Sequence, residues 1–455
     1  MKLRPLVAAV ALSLPLWAQA EVLSLKACVQ QALQNNPEIA AADGQIQQAA
    51  AALKAAKRSR LPQINLELNV INSNDALNVF GMKLQERRAT FNDFGANEFT
   101  GPSALGVKPK NLNQPGDWTH YNGKLQLLIP IWNGGKISGF QDQAGALMEA
   151  AQYGKEAVRQ FLAYNVFRAY DAVHTARAYI EVSKKALKAA ESYVKTTRNL
   201  VEEGVVVKAE LLRAEVHRSE AALALETAQN QEQLALAALR TLLALDESHE
   251  LDVAQRVKLE LPSEDVAEMV SMALSDNPKL KAMRKQYEAD LAEVKIARAD
   301  KYPHLNMLAE ENAYSDHAGL GEYAYTVAAQ AKWKLTDFGV TDAAVSRMRA
   351  KASTRMSKLA SAENQTRLEV IQAWRKLKIA NRRILTTDLN QRQAQEANRL
   401  IRKRYEAGIS TITELLASQA QLDKARADHV AAIYDANIQK AKLRLLTGTM
   451  TPDSF

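Results

Sequence analysis

Cysteine is almost missing from this chain of 455 residues: Cys28 stands alone, so no internal disulfide can form. Aromatic residues are scarce at 6%, while Ala, Leu, Gln, Glu, Lys and Arg dominate, which fits an elongated helical assembly better than two or three rounded domains. Runs of like charge are missing too. The formal net charge is +8, of which Lys2 and Arg4 supply two at the N-terminus, and the remaining acids and bases are mixed along the sequence. That pattern describes a solvated surface and excludes a basic clamp for nucleic acid. No segment beyond the first twenty residues has the ~18 uninterrupted apolar residues of a spanning helix.

Catalytic signatures are equally absent. There is no phosphate-cradling GxxxxGK, no HExxH, no nucleophile elbow and no Cys/His cluster, and the seven histidines are scattered. The stretch GLGEY near Gly319 joins two strand-like segments and opens no helix, so it reads as a hairpin turn. The expectation is a protein that is not an enzyme and needs neither cofactor nor metal.

The opening, MKLRPLVAAVALSLPLWAQA, has a basic start, a short apolar run containing Pro15 and the small-x-small ending Ala18-Gln19-Ala20. It reads as a secretory signal peptide over residues 1–20, cut after Ala20. Cys28 lies too far beyond that site to carry a lipid.

One phrase is written twice. ALQNNPEI at 32–39 returns 241 positions later as ALSDNPKL at 273–280. Asn36 and Asn277 can cap helices whose first residues are Pro37 and Pro278, where the missing N–H costs nothing. Each helix runs to a second proline, Pro62 or Pro303, and there the period changes to two, the strand signal. Ile64, Leu66, Leu68 and Val70 alternate with Gln63, Asn65, Glu67 and Asn69, whereas HLNMLAE after Pro303 alternates more weakly. A return strand follows in each half. The first carries Gly123, Leu125, Leu127, Ile129 and Ile131 on one face. The second carries Tyr323, Tyr325, Val327, Ala329, Ala331, Trp333 and Leu335.

From that point the halves align at a constant offset of 204: Tyr121 with Tyr325, Gly135 with Gly339, Tyr170 with Trp374, Gly204 with Gly408, Glu210 with Glu414. The first half therefore holds 37 extra residues between its strands, in a segment rich in Asn, Gly and Pro that reads as a long surface loop over 75–117. The chain divides into a first repeat over 21–246, a linker over 247–263 and a second repeat over 264–455. The first repeat has strands at 62–73 and 119–132 and helices at 37–61, 139–201 and 207–246. The second has strands at 303–314 and 323–335 and helices at 278–302, 343–405 and 411–447. Nothing breaks a helix between Gly139 and Val201, roughly 95 Å at 1.5 Å per residue. In each half the two shorter helices, laid end to end, match the long one, as the wall of a long cylinder would require.

Long Ala-rich helices alone would suit a coiled coil. The four two-faced strands would not; they suit an outer-membrane barrel, whose strands need ~9–11 residues. Four strands cannot close a barrel, and an open edge in lipid leaves backbone groups unsatisfied. Several chains must share one barrel, and the sequence allows two, three or four. A periplasmic adaptor would show long helical hairpins, but also a lipoyl-like all-β module and an inner-membrane anchor, and neither is visible.

The duplicated NNP and DNP helices, the PIWNGG strand-to-helix junction and the turn YEAGISTITELLASQAQL together resemble the TolC family of outer-membrane efflux proteins, over essentially the whole chain after residue 20. The resemblance implies a mainly α fold with a small β part. Duplicated α-hairpins would form an α-barrel tunnel, and four strands per chain would join a twelve-stranded barrel shared by a homotrimer in the outer membrane. It implies an exit duct for a tripartite system, fed by an inner-membrane transporter through a periplasmic adaptor; an exit duct for type I protein secretion would look the same. It places the periplasmic gate on Tyr405, with Glu210 as its partner acid and Glu414 as a further lumen acid. Both acids replace the family's Asp, and Ser410, Ala209 and Ala417 stand where it has an arginine, a threonine and another acid. Ordinary packing at a helix end would also account for Tyr405, and the helix dipole favours acids at Glu210 and Glu414 regardless. The tip turns Gly204, Val205, Val206 and Gly408, Ile409 are candidate contacts for the adaptor; Val205 to Val207 could equally pack on the neighbouring hairpin.

Overall fold

The structure is a computed structural model that describes residues 21–319 and 321–454; the expected signal peptide lies outside the described residues. In chain order the elements are β1 (Glu21–Leu23), α1 (Leu25–Asn35), α2 (Pro37–Arg58), β2 (Gln63–Ser73), α3 (Ala76–Gln85), α4 (Lys110–Asn113), β3 (Trp118–Asn133) and α5 (Lys136–Glu202). There follow α6 (Lys208–Leu243), β4 (Leu251–Val253), α7 (Val266–Asp276), α8 (Pro278–Ala299), β5 (His304–Ser315), β6 (Glu322–Lys332), α9 (Val340–Glu406) and α10 (Ile412–Leu446). Among the described residues no helix is long and apolar enough to cross a membrane.

The repeated phrase has a repeated geometry. The Asn36 side chain donates to the Leu242 carbonyl at 3.0 Å and accepts from Glu38 N at 2.9 Å. Asn277 donates to the Leu446 carbonyl at 3.0 Å and accepts from Lys279 N at 2.9 Å. Each asparagine thus caps the helix it precedes and ties that start to the end of the medium helix of the same half. The lengths repeat as well: α2 and α8 have 22 residues each, and α5 and α9 have 67 each.

The chain forms two compact units, each drawn from both halves. One comprises the described residues up to Gln47 with Ala150–Arg284 and everything from Lys358 onward; the other comprises Gln48–Glu149 and Lys285–Ser357. The first is helical. Its largest core gathers Leu25, Phe167, Tyr170, Leu239 and Leu243, and a second gathers Met269, Val370, Leu377 and Leu443. Burial of each such side chain stabilises by about 1.5–3 kcal/mol. The segment read as a linker or equatorial segment over 247–263 carries β4, which pairs in parallel with β1. It is bolted down by Asp171, which is buried and accepts from Arg256 Nε and Nη2 at 2.6 and 2.8 Å and from Asn437 at 3.2 Å.

The second unit carries an antiparallel sheet in the order β2-β3-β5-β6, so among the described residues β2 and β6 each have a free edge. Residues directly opposite share a face. Leu66, Leu125, Glu311 and Tyr325 form one such row, and Asn65, Gln126, Glu310 and Thr326 another. The first face is mostly apolar, Glu311 being its one carboxylate among the rows named, and it is open to the surroundings: Ile64, Leu66, Leu68 and Val70 are all exposed, Leu68 by 75%. The second is polar and cross-linked, with Glu310 accepting from Gln126 at 2.5 Å and pairing with Lys124 at 3.0 Å. Exposed aromatics edge the apolar face at both ends, Tyr323 and Tyr325 at one and Trp132, Tyr302 and Trp333 at the other, as in membrane barrels.

Two expectations need correction. Ile131 does not continue the apolar row, because the register shifts between Pro130 and Trp132 and brings Trp132 opposite Leu305. Pro130 has no N–H to give the ladder, and a bulge is where a strand tolerates that. Residues 75–117 are not a bare loop: they contain α3, α4 and three short 3-10 turns, and Val79, Met82 and Ala104 are buried.

Candidate functional site

The two tip turns are built alike. After α5, Gly204 takes φ 75° and Val205 N donates back to the Leu200 carbonyl at 2.8 Å. After α9, Gly408 takes φ 73° and Ile409 N donates to the Arg404 carbonyl at 2.9 Å. Both are left-handed helix stops, for which glycine is the least strained residue. The turns lie close together: a methyl group added at Gly408 would sit 3.7 Å from Val205 Cγ1. Val205, Val207 and Ile409 are exposed, and Val206 is half-buried.

Tyr405, in the last turn of α9, is 1% exposed and packs with Tyr193, Val194, Ala214, Ile412 and Leu415. Its hydroxyl lies 2.8 Å from Thr197 Oγ1 on α5. Burial raises its pKa above the ordinary tyrosine value, the Thr197 hydrogen bond opposes that, and the nearby Glu210 carboxylate adds to it. Glu210 therefore stands beside Tyr405, but its Oε2 is buried without a hydrogen-bond partner among the described residues. Glu414 is elsewhere. It is exposed in the first turn of α10, accepts from Ser410 Oγ, and its N–H donates to Thr411 Oγ1 at 3.3 Å. The structure brings Tyr405 and Glu210 together and leaves Glu414 apart from them.

Sequence reasoning missed the rest of a buried polar chain behind the tip. Tyr193 donates to Gln419 Oε1 at 2.8 Å and approaches Asn398 Oδ1 at 3.4 Å. Gln419 in turn donates to both Asp423 oxygens at 2.9 Å. The available signal was spacing. Tyr193 with Thr197 and Asn398 with Tyr405 lie four and seven residues apart, one helix face each, among apolar neighbours.

The geometry is thus a two-faced sheet with free edges in one unit and hairpins closed by a buried hydroxyl contact in the other. The model of the family described as "Outer membrane efflux protein" matches residues 28–245 and 269–449, most of the chain and both halves of it. The chain belongs to that family. The outer membrane is accordingly its location, with a large periplasmic portion. Among solved structures this family member is similar to the outer-membrane channel OprN, with TM-score 0.79 at 18% identity, covering 93% of this chain and 90% of that one. VceC from Vibrio cholerae matches with TM-score 0.77 at 17% identity over 93% and 96%. The Campylobacter jejuni CmeC outer membrane channel matches with TM-score 0.77 at 16% identity over 93% and 85%. Protein CyaE of Bordetella pertussis is 26% identical over 184 residues, which are 40% of this chain and 38% of that protein. The matched stretch thus spans well under half of that relative.

Proposed function

We propose that this efflux-family chain is the exit duct of a tripartite efflux or export system, passing cargo from an inner-membrane transporter through a periplasmic adaptor to the exterior. Three copies share one twelve-stranded barrel, β6 of each copy pairing with β2 of the next. The observation that carries this is the sheet itself. Its apolar face is exposed and both its edges are free, and a sheet in lipid must close, since each unpaired backbone group there costs several kcal/mol.

The repeated Asn-Pro geometry and the equal helix lengths support reading the chain as two tandem repeats. Tyr405 with Glu210 is the gate of the periplasmic end, Glu414 faces the lumen, and the exposed Val205 and Ile409, with Gly204, Val206 and Gly408, meet the adaptor. The protein supplies passage and no chemistry of its own.

Mass measurement of the detergent-solubilised protein, paired with conductance in planar bilayers, tests the assembly. A trimer that conducts is the expected result. A folded monomer that conducts would sink the shared barrel.

A further inference from the structure

Residues 76–117 leave the sheet at the end of β2 and β3 remote in sequence from α2 and α5, beyond the aromatic edge marked by Tyr323 and Tyr325. They carry their own small fold. Phe80 meets Phe94 edge-on at 4.8 Å, Lys83 pairs with Asp93 at 2.6 Å, and the Glu98 carboxylate accepts from the backbone of Lys110 and Asn111 at 2.7 and 3.0 Å. A mere connection would need none of this.

Three consecutive residues fix the insert across the sheet. Glu86 is 3% exposed, lies 2.7 Å from His120 Nδ1 in a hydrogen bond and accepts from Trp118 Nε1 at 3.3 Å, both on β3. Arg87 pairs with Glu322 at 3.0 Å and donates to the Tyr323 carbonyl at 3.1 Å, both on β6. Arg88 pairs with Asp316, directly after β5. The fan is opened by the backbone: Arg87 sits at φ 54°, ending α3 in a turn where Arg88 N donates to the Lys83 carbonyl at 2.8 Å. Glycine is the usual occupant of that position, because a Cβ is crowded by the backbone there. Arginine is strained there, yet its side chain reaches two groups on β6.

The face involved decides the reading. Trp118 and His120 have the parity of Asn122, Lys124 and Gln126 on β3, and Tyr314, stacked on His120 at 5.5 Å, has the parity of Glu310 on β5. The insert is therefore held on the polar face, not on the face that carries Leu66, Leu68 and Val70. In a closed barrel the apolar face meets lipid and the polar face lines the lumen.

We propose that the insert is an inward-folded strap that narrows the exterior mouth of the duct, and that Glu86, Arg87 and Arg88 are the latch that holds it down. The inference rests on the shared-barrel reading above. It is independent of the tip turns and can be probed from outside intact cells.

Asn312, on the polar face of β5 opposite Lys124, is replaced by Cys as a reporter; the other cysteine, Cys28, is buried. A small water-soluble maleimide should label this thiol in every variant, and a bulky polyethylene-glycol maleimide should label it slowly. With Arg88→Asp added, the bulky reagent should react about tenfold faster, the scale of losing one charge-assisted contact. Adding Asp316→Arg to that variant restores the pair with reversed charges and should make labelling slow again. Arg87→Gly relaxes the backbone while removing a latch side chain, so fast labelling there cannot be blamed on misfolding. Equal rates for the bulky reagent in all of these, and in a chain lacking residues 76–117, would overturn the strap. Failure of the small reagent to reach the thiol at all would instead overturn the duct.

Discussion

The hydroxyls of Tyr405 and Thr197, 208 positions apart in sequence, lie 2.8 Å apart inside the hairpin core. A carboxylate stands beside them, yet the hydroxyl pair is what joins the end of α9 to α5. Such a bond contributes about 0.5–1.5 kcal/mol. If closure of the periplasmic end depends on it, Tyr405→Phe and Thr197→Val should each raise conductance in planar bilayers. The double variant should add little to either, because both remove the same contact. Additive effects would mean that the two residues act separately and the pair is packing alone.

What could be read in the sequence follows from range. Asn36-Pro37 and Asn277-Pro278 are local signals, and the structure uses both as helix starts with matching bonds. The long helices were readable because no breaker interrupts them, although α5 and α9 extend three residues earlier and one later than expected. β1 and β4 were not readable: three residues each, with Glu21 opposite Leu251, carry no period. The insert misled because Asn, Gly and Pro signal turns whether or not the turns pack together, and its latch joins Arg87 to residues 235 and 236 positions away. Glu210 lies near Tyr405, but the hydroxyl partner Thr197 is a contact between helices that no single helix pattern reports.

Asp423 lies at the far end of the polar chain. Burial pushes its pKa above the ordinary aspartate value, against the hydrogen bonds from Gln419, the charge of Arg426 and the influence of His217. A raised carboxyl binds its proton more tightly in the folded state. The cost to stability is therefore absent below the unfolded value, about 3.9, and grows as pH rises through the interval up to the folded value. Asp423→Asn should raise the thermal midpoint at pH 7 and change it much less near pH 4. A midpoint lowered at pH 7 would show that the charge is needed where it is.

Asp171 is a buried carboxylate held by a two-pronged arginine. Replacing Arg256 by Met leaves that charge without its partner and should cost about 3–5 kcal/mol, read as a lower denaturant midpoint. Adding Asp171→Leu removes the stranded charge and should recover part of the loss. No recovery would mean that the clamp matters for holding the segment around β4 rather than for its charge.

Glu414 is exposed and Glu210 half-buried, so the two acids should behave differently although the repeats place them at equivalent positions. Three copies would set Glu414 around a narrow mouth, where clustered carboxylates focus negative potential and favour cations. Its side chain, in the first turn of α10, accepts from Ser410 in the turn just before that helix. Glu414→Gln should thus lower the cation preference measured from reversal potentials under a salt gradient, with little change in conductance. Tyr405→Phe should do the reverse, opening the channel while leaving its preference alone. If neither substitution alters conductance or selectivity, the channel is not controlled at this end, and the residues at the tip serve packing only.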